Sequence, residues 1–212
     1  FGSAIGSVIL GALRLSPSRA ISLVTTGFIE LIRGPSVLIL LFWVYYALPM
    51  IPGMPKIGAF TASVLVLTLA GSVYGAEIVR AGINAIPKGQ HEACYALGIS
   101  RGNAMFKVIL PQALSQVVPA FGSMSRDMVR WTSIISFVGV QDILYAANSV
   151  RAETYETTKV FVLLAITYYV LTVLCGLFFK AVEWFLPLNR ANRTAERAKS
   201  TGLSSVTALR EA

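Results

Sequence analysis

The chain has 212 residues, of which 55% are hydrophobic and 13% charged, and it carries a net charge of +8. Soluble domains carry roughly 25% charged residues, and a core of this length cannot hide so much apolar surface from water, whereas lipid can. A soluble globular domain is excluded, and so is a nucleic-acid surface, because the basic residues sit at the ends of apolar runs, where they set membrane orientation.

The first apolar run, Phe1 to Leu13, is shorter than the roughly 20 residues that cross a bilayer, and the expectation is that the sequence begins partway through a first transmembrane helix. Ser16-Pro17 is a helix-start signal. After it, Ile21, Val24, Phe28, Ile29 and Ile32 share one helical face, as in a helix that lies at the interface or feeds straight into the next span. Ser36 to Met50 reads as a span ending in Trp43, Tyr45 and Tyr46, residues suited to the headgroup level. Ile57 to Ala76 carries no acidic or basic residue and holds Gly71-Ser72-Val73-Tyr74-Gly75, a small-xxx-small pattern that lets helices approach closely, within one subunit or against a partner.

The longest polar interruption follows, from Lys88 to Arg101 and on to Ala113. It reads as two short helices around Gly98, where a sharp turn favours a residue without a side chain. Glu92, Ala93, Ala96 and Leu97 fall on one face of the first helix, and Pro111 suits the first turn of the next. A compact knob with small residues on one face is shaped to lodge in a partner's groove.

Beyond it, Leu110 to Ser125 starts another span, which Arg126, Asp127 and Arg130 interrupt before Trp131 to Val140 turns apolar again. Gln141 to Thr158 is polar, Val160 to Phe179 is the last span, closed by Lys180, and residues 187–212 form a polar basic tail. Lysine and arginine are richer on the side that receives Arg14, Arg33, Arg80, Lys88, Arg101 and the tail, so that side is expected to be cytoplasmic.

The knob resembles the EAA loop in the membrane subunits of bacterial ABC importers: Glu92-Ala93-Cys94, then Gly98, then Leu110-Pro111, with Cys94 in place of the usual second alanine. The flanking Ala76–Ile83, Ile86–Gln90 and Ile109–Leu114 resemble the polar amino acid uptake branch. The resemblance implies an all-α membrane protein, a type I importer transmembrane domain with a five-helix core. That domain would span residues 1–186 and carry the coupling loop at about 88–111. It also implies a multi-pass protein of the bacterial inner membrane, surrounded by lipid, with the loop and C-terminus in the cytoplasm. The expected partners are ATPase subunits that bind the ATP, a second permease subunit, identical or homologous, and an extracytoplasmic solute-binding protein. Glu92, Ala93 and Gly98 would carry the coupling, with Glu92 favoured by the dipole in the first turn of its helix.

No residue set suits catalysis, a metal or a resident cofactor: His91 is the only histidine and no phosphate-binding Gly-rich loop occurs. A charge at mid-bilayer costs about 2.5–3.5 kcal/mol and normally faces a cavity or a partner. Ser123, Arg126, Asp127 and Arg130 are therefore candidates for the solute pathway, with Asp127 and Arg130 spaced to pair and Arg126 or Arg130 free for a carboxylate. The competing reading is that these charges mark the outer membrane boundary. Glu77 and Arg80, three apart, read as a structural ion pair. An ion-coupled secondary transporter is the alternative function. It is disfavoured because two similar halves of opposite topology are not visible and the knob would have no task.

Overall fold

The computed structural model describes residues 2–16 and 18–185; the 187–212 tail expected from the sequence lies outside them. Every regular element among the described residues is helical. They are α1 (Gly2–Arg14), α2 (Arg19–Arg33), α3 (Val37–Phe42), α4 (Ala59–Asn84), α5 (Lys88–Ala96), α6 (Arg101–Ala104), α7 (Leu110–Trp131), α8 (Ile143–Thr154) and α9 (Thr157–Phe185). Among the described residues, three helical stretches are long and apolar enough to cross a membrane: Ala59–Asn84, Arg101–Val138 and Thr157–Trp184.

The helix α4 is the centre of the bundle. Its glycines let neighbours touch its backbone. A Cβ at Gly75 would fall 1.9 Å from Ser7 Oγ, one at Gly71 would fall 2.8 Å from Ser3 Cβ, and one at Gly82 would fall 2.3 Å from Val117 Cγ2. The small-xxx-small pattern thus packs inside this chain, seating α1 on one side of α4 and α7 on the other. Ser7 is fully buried there and donates a hydrogen bond to the Ser3 carbonyl at 2.6 Å, satisfying a polar group that lipid would penalise. On the far side of α7, Gly122 accepts Phe179 of α9.

Two expectations about spans change. Ser36–Met50 is not an independent span: Val37–Met50, which continues α3 through a π turn at Trp43–Ala47 and a 3-10 turn at Leu48–Met50, pairs with α2 across a 94° bend. Pro35 lacks an amide donor and disfavours helical backbone at Gly34, so α2 cannot run straight on. The two pieces form a bent pair, a broken span or a re-entrant turn, with Ile29 against Val73 and Ala76 and Leu41 against Ala62 and Val66. Nor do Arg126, Asp127 and Arg130 interrupt a helix. α6 passes through a π turn at Met105–Ile109 into α7, which reaches Trp131 and continues as a 3-10 turn to Val138. Pro119 sits inside α7 without ending it. The segment expected to be merely polar, 141–158, contains α8, whose start is capped by Asp142 accepting from the Tyr145 amide at 2.8 Å.

Candidate coupling knob and pathway

The knob stands where α4 ends and the long helix toward Val138 begins. α5 ends at Ala96, and Gly98 takes φ +68°, a left-handed conformation. The Ile99 amide then donates to the Cys94 carbonyl and the Gly98 amide to the Tyr95 carbonyl, both at 3.0 Å. This Schellman closure satisfies carbonyls that the end of α5 would leave bare and turns the chain into α6. Cys94 is buried beneath the turn, and Ile86, Ile109 and Ala113 form the apolar cluster that fixes the knob's base. The opposite face is open, with Tyr95 84% and Leu97 76% exposed beside exposed Glu92, Ala93 and Ala96. A cavity of about 300 Å³ lies among His91, Cys94, Tyr95, Ile99 and Arg101. Glu92 is the fifth residue of α5, which starts at Lys88 after Pro87, so it stands on the second turn. The dipole argument from the first turn therefore does not apply.

The structure separates the four pathway candidates. Asp127 and Arg130 form an ion pair at 3.0 Å, both half-exposed, and Ser123 is exposed on the same face of α7. Exposed Gln116 and half-buried Gln112 extend that face toward the knob, giving polar residues at spacings of four, seven, four and three. Gln116 is not singled out by the sequence reading, although this helical polar periodicity is its signal. Arg126 turns away: its Nη2 donates to Ser123 Oγ at 2.9 Å, and its side chain lies against Gly176 of α9. Across α7, Trp131 packs on Tyr74 with ring centroids 5.2 Å apart, and Arg33 at the end of α2 lies over the same Tyr74 ring at 5.3 Å.

Arg14, Arg80 and Lys180 close the apolar runs of α1, α4 and α9. Val117 meets Gly82, beside Arg80, and Gly122 meets Phe179, beside Lys180, so Asp127 and Arg130 stand beyond both contacts on the side away from the knob.

At the knob-side boundary, Glu77 pairs with Arg80 at 3.3 Å, as its spacing predicts, and also with Arg14 of α1. The partner from α1 is missed by sequence reasoning, which sees Arg14 only as an orientation signal; a contact 63 residues apart leaves no local periodicity.

A bundle of several apolar helices with a projecting helix–turn–helix is the architecture of the transmembrane subunit of a type I ABC importer. The chain matches, over residues 2–183, the family of binding-protein-dependent transport system inner membrane components, and it belongs to that family. It is similar to the probable amino-acid ABC transporter permease protein y4tF of Sinorhizobium fredii, 32% identical over 86% of this chain and 79% of that protein. The arginine transport system permease protein ArtQ of Bacillus subtilis is 34% identical over 86% and 83% of the two chains. Among solved structures, an amino acid ABC transporter crystallised with histidines superposes with TM-score 0.80 at 32% identity, covering 86% of this chain and 84% of that one. The MetNI methionine ABC transporter shares the fold, with TM-score 0.64 at 23% identity. The chain is a multi-pass membrane permease and a non-catalytic subunit of its transporter.

Proposed function

We propose that this permease imports amino acids, driven by separate ATPase subunits that bind the ATP and grip the knob at Glu92, Ala93 and Gly98. The observation that carries the reading is the knob itself: an exposed small-residue face held on a buried base at the junction of two long helices. In this reading the knob and the C-terminal tail are cytoplasmic, residues 1–186 form the membrane domain, and two permease subunits, identical or homologous, enclose the pathway. A soluble binding protein delivers the solute from the other side.

Ser123, Asp127 and Arg130 line the pathway. A polar stripe on a membrane-spanning helix is stable only against water or a partner, and the space between two permeases supplies both. Asp127 then meets the solute ammonium and Arg130 its carboxylate. The amino acid class rests on the relatives, whose names include arginine and L-cystine permeases. The test is Ala93→Glu, which adds a charge on an exposed face without touching the bundle. Uptake in proteoliposomes should vanish, and the ATPase should no longer co-purify, while the permease stays in the membrane. Normal uptake by that variant would refute the coupling role.

A further inference from the structure

Arg126 and Lys180 are the unexplained charges of the bundle. Neither has a carboxylate partner among the described residues: Asp127 is taken by Arg130, and Glu183, three residues from Lys180, lies outside ion-pair distance. Both line one cavity of about 230 Å³ between α7 and α9, together with Tyr169, Val173, Gly176 and Leu177. Gly176 makes the room, since a Cβ there would stand 3.2 Å from Arg126 Nη1. Gly176 and Lys180 are one helical turn apart on the same face of α9, so the Arg126 guanidinium lies about 6 Å inside the level of Lys180. The Arg126 side chain is anchored to Ser123, one turn toward the knob side, as expected for a long cationic side chain reaching for an interface. The cavity is thus cationic at its mouth, at the membrane boundary, and apolar along the wall that runs deeper. Almost none of the apolar stretch of α9 is buried in the chain, so the cavity opens on an apolar surface that the chain leaves uncovered.

We propose that Arg126 and Lys180 hold the phosphate of an anionic phospholipid from the knob-side leaflet, with an acyl chain lying along Leu177, Val173 and Tyr169. A phosphate neutralises both cations, which would otherwise face hydrocarbon and the interface uncompensated, and basic pockets between spans are suited to anionic headgroups. A zwitterionic lipid carries its own ammonium beside the phosphate and gains less.

The test uses the whole permease–ATPase complex in nanodiscs, with spin-labelled phosphatidylglycerol and phosphatidylcholine as probes. The immobilised fraction of phosphatidylglycerol should exceed that of phosphatidylcholine. Lys180→Gln should reduce the preference severalfold, and the Arg126→Gln/Lys180→Gln pair should reduce it on the order of tenfold. Lys159→Gln, at the other end of α9 and paired with Glu156, should leave it unchanged. Lys180 is exposed at the end of the apolar run, so its variant keeps the test valid if Arg126→Gln folds poorly. Equal immobilisation of the two lipids overturns the proposal, as does a preference that survives Lys180→Gln. It is also overturned if Arg126→Gln abolishes solute-stimulated ATP hydrolysis in pure phosphatidylcholine, because Arg126 would then be reading the solute.

Discussion

Replacing Gly98 separates the turn from the surface it presents. Gly98 has φ +68°, and a Cβ there would meet nothing within 4 Å. Any loss of the turn within this chain is therefore backbone strain and not a clash. Left-handed backbone costs an L-residue roughly 1–2 kcal/mol, and more for a β-branched one, while Asn tolerates it best among residues with side chains. Strain of 1–2 kcal/mol lowers the ratio of correctly turned to unturned knob by a factor of about 5–30. Gly98→Val should therefore reduce ATP-driven uptake by about tenfold or more in proteoliposomes holding equal amounts of complex. Gly98→Asn should retain most of it, and Gly98→Ala should fall between. If Val and Asn give equal rates, turn geometry does not control coupling, and the account of Gly98 is wrong.

Gly75→Leu should prevent α1 from seating on α4, because even a Cβ meets Ser7 and Phe121. Overpacking of about 1–3 kcal/mol or more should lower the melting temperature of the detergent-purified protein, whereas Gly27→Leu, in open space, should not. Glu77→Gln leaves the Arg14 guanidinium, 13% exposed, without its carboxylate and should cost about 1.5–3 kcal/mol. The double change Arg14→Met/Glu77→Leu should recover most of that loss in the same melting assay. Asp127→Asn should raise the KM for uptake while leaving knob-dependent ATPase binding intact; an unchanged KM would remove Asp127 from the pathway.

What was legible in the sequence had a local cause. The knob was, because Gly98 and the polar run around it act within one turn of backbone, and so were α4 and α9, because their apolar runs are long. The continuity of α7 was not. Arg126, Asp127 and Arg130 look like an interruption until Ser123 and the i,i+3 pair are seen to satisfy all three within the helix, with Gly176 making space for Arg126. The 94° bend between α2 and α3 had a visible cause in Pro35, but its angle depends on α4 receiving Ile29 and Leu41 at separate places. The position of Glu92 was misjudged by one turn because helix backbone resumes directly after Pro87.

The stretch from Arg101 to Val138 is one uninterrupted rod of 38 residues, about 57 Å from end to end. A rod of that length magnifies movement: tilting it by about 10° carries its far tip about 10 Å. The knob and the paired charges at Asp127 and Arg130 ride on the same lever, so under the proposed function a modest displacement at the knob is felt at the proposed pathway. The π turn at Met105–Ile109 and the proline at 119 are the two points where that stiffness is relaxed, and they set how much of the stroke arrives.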